Sequence, residues 1–272
     1  MALTVAQTAD AGAPQAGITV DGLSVVTPCT VTVSVSSDGG TTWSDVRGGT
    51  MTGVLGSTFL RDYVVPLNVA ATYRAVVTGG TSATWTTTLT ITSPYAWLQD
   101  PLAPKSAVQV AISEQSSTSA LLLVAPSFGS VVGKVPSDIV TPLGARLPVG
   151  SIGMQQAPSG MPMAIQADAA RQGALITALR TLLATSGQIV IRGLPASVGI
   201  DPVAHVLRSD VTGTPVTSGT MLGVFNTTTF TVTQVRPVST RIVVPWWTYD
   251  QVLALVQGQL SGAGTTYAQV LA

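Results

Sequence analysis

Strict alternation dominates the first third of the chain. In Thr30-Val31-Thr32-Val33-Ser34-Val35-Ser36 the three valines fall on one side and the hydroxyl residues on the other, the period of a half-buried strand. Asp38-Gly39-Gly40 follows, and glycine accepts the positive φ that a tight hairpin needs, so Trp43 and Val46 are expected on a return strand with Trp43 in the core. Thr84 to Thr92 is a second β-branched run. No helical period occurs before Ser93. Several short strands at this spacing predict an antiparallel sandwich over residues 1–93.

The pattern changes beyond about Lys105. Val108 to Ile112, Leu121 to Val124, Gln188 to Arg192 and Phe230 to Arg236 read as strands. Between them, Leu175, Ile176, Leu179, Leu182 and Leu183 recur at helical spacing, which predicts a helix over about 168–185 with Asp168 as N-cap and Gly187 as its stop. A β-barrel or sandwich with one packed helix is the economical reading of 105–245. In the tail, Thr248-Tyr249-Asp250-Gln251-Val252-Leu253-Ala254 recurs as Thr266-Tyr267-Ala268-Gln269-Val270-Leu271-Ala272. Each copy places Tyr, Val and Leu on one face of a short helix that cannot stand alone in water, so segment 246–272 is expected to dock through Tyr249, Val252, Leu253, Tyr267, Val270 and Leu271. The fold class expected is therefore mainly β, with two short C-terminal helices.

Between the two patterned regions stands Ser93-Pro94-Tyr95-Ala96-Trp97-Leu98-Gln99-Asp100-Pro101-Leu102-Ala103-Pro104. Its prolines follow an aromatic pair and an acid, which reads as an inter-domain joint over 94–104 with Trp97 wedged between the domains and Asp100 beside it. On the N-terminal side, Leu67 to Val77 resembles the L-x-P-x-T-x-Y-x-V-x-V segment of fibronectin type III domains, without its proline. The resemblance implies an Ig/fibronectin-III-like sandwich in which Tyr73 pins a corner by bonding its hydroxyl to upstream backbone.

Composition narrows the function. Charged residues are only 9% of the chain against roughly 25% in ordinary soluble domains, and 12 acids balance 12 bases. A neutral, charge-poor surface associates readily, which suits one covered by partners; a β-rich chain with Thr- and Ser-coated faces would have the same composition. The bases are scattered, so no nucleic-acid face is expected. Apolar runs such as Ala120 to Pro126 are far short of the ~20 residues of a membrane helix, and residues 1–20 do not read as a secretory signal. Cys29 is the sole cysteine and is expected in a buried strand.

Candidate chemistry is sparse. Ser36-Ser37-Asp38-Gly39-Gly40-Thr41-Thr42-Trp43 satisfies the Asp-box pattern once, without the blade repeat, and reads as a turn in which Asp38 binds amides. His205 is the only histidine, no nucleophile elbow accompanies it, and neither zinc-ligand nor phosphate-loop spacing occurs. No catalytic residue, metal or cofactor is expected. Trp246 and Trp247, with Tyr249, form the densest aromatic cluster, either an interface anchor or a sugar-stacking platform.

From the joint to the C-terminus the chain resembles minor tail proteins of long-tailed phages that infect actinobacteria. The match is carried by W-L-x-D-P-L-x-P at 97–104, Val132 to Asp138 and Leu143 to Val149, Ala157-Pro158-Ser159-Gly160, the Ala178 to Leu183 helix end with Ile189 to Arg192, and the T-Y-x-Q-V-L-A copies. It implies a non-enzymatic virion protein at the distal tail tip, made in the host cytoplasm. Its partners would be other tail proteins and further copies of itself, as a trimer or hexamer. The alternative is a carbohydrate- or receptor-binding adhesin at the tail tip or cell surface, with a host glycan as partner. A cell-wall hydrolase would need a catalytic constellation that the sequence does not display.

Overall fold

The alternating runs before Ser93 become seven strands: β1 (Ala2–Thr8), β2 (Gln15–Asp21), β3 (Cys29–Ser36), β4 (Ser44–Val54), β5 (Ser57–Asp62), β6 (Ala70–Thr78) and β7 (Ala83–Thr90). The structure, a computed structural model, describes residues 2–8, 12–80, 82–112, 120–140, 146, 149–168, 171–218 and 221–237. The strands form a three-stranded sheet, β1-β2-β5, and a four-stranded sheet, β4-β3-β6-β7, with antiparallel neighbours throughout. The inward parity of each strand supplies one shared core: Ile18 and Val20 from the smaller sheet, Val31, Val33, Tyr73 and Val77 from the larger. Cys29 is buried at the start of β3, its thiol donating to the Val54 carbonyl at 3.2 Å.

Trp43 departs from expectation. It precedes β4, is half-buried, and stacks on the Arg74 guanidinium 4.1 Å from its ring centroid. The hairpin turn ends only at Trp43, before β4 begins, so its ring lies over Gly40 and meets the outward parity of β6.

The second half is a closed barrel. Its elements are β8 (Tyr95–Gln99), β9 (Ala107–Ala111), β10 (Leu121–Val124), β11 (Val132–Gly133), β12 (Ser137–Val140), β13 (Val149–Ile152), β14 (Pro158–Ser159), β15 (Met161–Asp168), α1 (Gly173–Thr185), β16 (Gln188–Arg192), β17 (Val203–Arg208), β18 (Thr212–Ser218) and β19 (Met221–Gln234). Seven strands run β15-β10-β9-β8-β16-β17-β19, and the β15–β19 ladder from Met161↔Val232 to Asp168↔Phe225 closes the ring. Only β9 and β10 are parallel neighbours. Strand β18 pairs with β19 outside the ring.

Leu98, Val108, Ile165, Ile191, Val206 and Phe230 point into the barrel and share their core with Ile176, Leu179, Leu182 and Leu183 of α1. That stripe, rather than capping, holds the helix. Gln172 at the N-cap makes no side-chain cap bond, while burying four aliphatic side chains is worth about 6–12 kcal/mol before entropy. Asp168 is accordingly not the N-cap. It ends β15, and its side chain accepts the Arg171 amide at 3.3 Å, because the chain must first turn from strand to helix.

The segment expected as a joint is itself structural. Tyr95–Gln99 is β8, a stave of the barrel, so the barrel begins at Tyr95 rather than Lys105. The strand expected over Phe230 to Arg236 is β19, which starts earlier and ends at Gln234. Between β10 and β15 the chain leaves the barrel as a narrow ribbon in which β11 pairs with β14 and β12 with β13. Segment 246–272, with its expected short helices, lies outside the described residues.

Candidate functional site

The outer face of the barrel explains why β8 and β16 are buried on both sides. Along β8, Leu98 faces the barrel interior while Trp97 joins the core of the N-terminal sheet pair and Tyr95 packs against it. Along β16, Ile189 and Ile191 face inward, leaving Val190 and Arg192 on the other parity, both essentially inaccessible. A strand buried on both faces reads as a continuous apolar run, and a charge placed on it must find partners.

Arg192 finds them across the junction. Its Nε donates to Gln99 Oε1 at 3.0 Å and its Nη1 to the Val65 carbonyl at 3.0 Å. Gln99 Nε2 donates to the Tyr63 carbonyl at 2.9 Å. Asp62, at the end of β5, accepts the Val64 amide and the Tyr73 hydroxyl, each at 2.8 Å. Tyr73 therefore bonds upstream as expected, but to a carboxylate rather than to backbone, because a buried carboxylate needs every donor within reach.

Burial pushes the Asp62 carboxyl above its ordinary range, against the opposing pull of the Val64 amide, Tyr73 and Arg192. Burial likewise lowers the Arg192 guanidinium to about 10, opposed by Asp62 and Tyr73, which leaves it charged at neutral pH. The Tyr73 hydroxyl is pushed far above its usual value by burial and then by Asp62, so it remains a donor. The following residue, Gly193, has φ +83°, and a Cβ there would stand 2.8 Å from the Tyr95 carbonyl oxygen. Two backbones approach here as only glycine allows.

The Asp-Pro turn after β8 makes a second tie. Asp100 accepts the Leu102 amide at 2.7 Å through Oδ1 and the Ser186 hydroxyl at 2.6 Å through Oδ2, fastening the end of α1. Arg47 of β4 donates from Nη1 to the Pro101 carbonyl at 2.7 Å. Ser93 Oγ receives Trp97 Nε1 at 3.1 Å. Beside Arg47 lies His205, on the outward parity of β17, with no hydrogen-bond partner for its Nδ1 among the described residues. Burial, and then the Arg47 charge, lower its pKa to about 4.

Asp38 accepts the Ser36 and Thr42 hydroxyls and the amides of Thr41 and Thr42, which hold its carboxyl far below the usual range and rigidify the turn. A cleft of about 210 Å³ lies by Leu122, Gln166 and Phe225. Its Gln172 already donates to the Ala120 carbonyl at 2.7 Å and accepts the Asp168 amide at 2.9 Å, and its Arg171 sits 3.7 Å from Asp168. Among the described residues no group of three or more His, Cys, Asp or Glu is placed to hold a metal ion, and no helix is long and apolar enough to cross a membrane.

Of the residues singled out from sequence, Trp97 and Asp100 come together at this junction. Trp246, Trp247, Tyr249, Val252, Leu253, Tyr267, Val270 and Leu271 lie outside the described residues. Asp62, Gln99 and Arg192 are members that sequence reasoning overlooked. The available signal was parity: in Ile189-Val190-Ile191-Arg192 both faces are apolar until Arg192, which marks a paired charge on a covered strand.

Comparison with known protein families, with curated proteins and with solved structures finds no match for this chain.

Proposed function

We propose that the chain is a non-enzymatic structural protein of a phage virion, a minor tail protein at the distal tail tip that assembles with other tail proteins and with copies of itself as a trimer or hexamer. One observation carries the reading. One piece of the sequence resemblance, W-L-x-D-P-L-x-P, is the piece that the fold uses to weld its two halves. Trp97 enters the N-terminal core, Leu98 the barrel core, Gln99 the Arg192 cluster, Asp100 the helix end, and the Pro101 carbonyl the Arg47 guanidinium. Two β bodies joined through buried contacts transmit force as one, which suits a part of a tail and is unnecessary in a tethered enzyme domain.

The N-terminal sheet pair is, in the same reading, an Ig-like sandwich of the fibronectin type III kind. Its support is the strand order, β1-β2-β5 facing β4-β3-β6-β7, together with a buried tyrosine on β6 whose hydroxyl bonds back to the end of β5.

The test is labelling of intact particles with an antibody to the chain, viewed by electron microscopy. Label at the tail end supports the proposal; label on the head or along the shaft, or none on opened and intact particles alike, removes it.

An adhesin is the second reading, favoured by a specific feature. At the end of β7 remote from the joint, Val25 and Val26 are 74% and 84% exposed beside the exposed Leu55. The loops that carry them are tied by Leu23 N–H to the Gly56 carbonyl at 2.8 Å and Gly56 N–H to the Ser24 carbonyl at 3.0 Å. A cell-wall pull-down that retains the chain, and loses it on Val26→Asp, would support this reading; no retention removes it.

A further inference from the structure

Register gathers four outward side chains on one face of the barrel. Along β15, Met163, Ile165 and Ala167 belong to the interior core, so Gln166 and Asp168 take the outward parity. Their cross-strand partners share that face: Leu122 of β10 lies opposite Gln166, and Phe225 of β19 lies opposite Asp168. The chain then turns toward α1, with the Gln172 amide donating to the Asp168 carbonyl at 2.8 Å, and the turn sets Arg171 and Gln172 beside the same face. These residues line the cleft of about 210 Å³.

The cleft has a fixed frame. Gln172 is only 7% exposed, and both ends of its amide are held, Nε2 by the Ala120 carbonyl at 2.7 Å and Oε1 by the Asp168 amide at 2.9 Å. One wall is therefore rigid before any ligand arrives, which lowers the ordering cost of binding. Arg171 stands at the rim, its amide 3.3 Å from Asp168 Oδ1 and its Nε 3.7 Å from Oδ2. The longer distance makes an ion pair but no hydrogen bond, so Asp168 positions the guanidinium while leaving its donors available. Phe225, 42% exposed, presents its ring at the same opening.

Size and charge narrow the ligand. A cleft of about 210 Å³ is below the ~300 Å³ at which pockets for drug-sized molecules begin, and has room for a single small ring. Arg171 and Asp168 cancel, and no second base lines the cleft among the described residues, so a phosphate or nucleic-acid backbone lacks the cations it needs. An aromatic face beside a planar amide and a guanidinium fork suits a molecule with one apolar face and adjacent hydroxyls. We propose that this cleft binds one neutral sugar ring, the exposed unit of a glycan, stacked on Phe225 and hydrogen-bonded by Gln166 and Arg171. The proposal deepens the adhesin reading, on which it rests, by naming the ligand class and a site on the barrel apart from Val25 and Val26.

The experiment is saturation-transfer difference NMR of the full chain, titrated with the methyl glycosides of glucose, galactose, mannose and N-acetylglucosamine, and with adenosine as a neutral aromatic comparison. Thermal unfolding is followed in parallel. At least one glycoside should bind with a Kd on the order of 1–10 mM, the range for ~12 non-hydrogen atoms at drug-like efficiency. Phe225→Ala and Arg171→Ala should each weaken binding at least about 10-fold, and Val25→Asp/Val26→Asp should leave it unchanged. Arg171 is a rim residue, so its variant should unfold at the wild-type temperature and decides the matter if Phe225→Ala unfolds early. No glycoside bound at about 50 mM, binding undiminished in a folded variant of either residue, or adenosine bound in preference to every glycoside would each overturn the proposal. Cell-wall retention that is lost on Val26→Asp, with no glycoside bound, leaves the adhesin reading standing without this site. Glycoside binding without cell-wall retention sinks the adhesin reading and leaves the cleft.

Discussion

Arg192→Met tests whether the two halves are welded through buried polar contacts. Methionine fills much of the volume of the arginine stem, so packing is largely kept and the loss is electrostatic. Two acceptors lose their donor, Gln99 Oε1 and the Val65 carbonyl, each bonded at 3.0 Å in the intact protein. A buried acceptor left empty costs about 1–3 kcal/mol. Asp62 also loses its neighbouring cation, although the Val64 amide and Tyr73 hydroxyl remain. Relief of the desolvated guanidinium offsets part of this, and the net is about 3 kcal/mol.

For a body of this size that lowers the unfolding temperature by about 10 °C. Differential scanning calorimetry of the full chain reads it directly. The double variant Asp62→Leu/Arg192→Met leaves the same two acceptors empty and also strips the Val64 amide and the Tyr73 hydroxyl of their acceptor, so it should unfold no later than the single variant. A single variant within about 2 °C of wild type would refute the reasoning, since it would mean that the cluster is solvated rather than buried.

Gly193→Ala should lower stability by about 3 kcal/mol, because φ is +83° and the new Cβ would stand 2.8 Å from the Tyr95 carbonyl oxygen; chemical denaturation checks it. His205 gives the junction an acid limb. Its pKa is about 4 in the folded protein and ordinarily about 6.5, so the unfolded chain binds the proton first, and stability is fully present above about 6.5 and falls as pH drops toward about 4. The contribution is about 2 kcal/mol for a partly exposed ring. His205→Gln should flatten that limb in denaturation curves taken across the window, and an unchanged curve would remove His205 as its source.

Much of the fold is legible because period and parity survive into the structure. The Thr30 to Ser36 alternation is β3, Gln188 to Arg192 is β16 to the residue, and the Leu175 to Leu183 stripe is α1. The misreadings share a cause. Tyr95 to Gln99 is bracketed by prolines, which signal a linker, yet it is buried on both faces and pairs with β9 and β16. Local turn chemistry does not reveal that a second body will cover a strand. The Asp38-Gly39-Gly40 hairpin predicts Trp43 on the return strand and in the core, whereas β4 starts only at Ser44 and the turn puts Trp43 over Arg74. The Asp62–Arg192 cluster joins residues far apart in sequence through contacts that no short motif encodes. The ribbon between β10 and β15 is not legible, since Gly133 and Pro136 interrupt Val132 to Val140 where a strand would otherwise be read.

The central claim, a structural component present in few copies at one place in a virion, is met most directly by counting. Purified particles would be digested and the chain's peptides quantified by mass spectrometry against isotope-labelled standards. The account predicts about three to six copies per particle, as a closed ring or bundle at the tail tip requires. Hundreds of copies, as in a shaft or shell, or none at all, would contradict it.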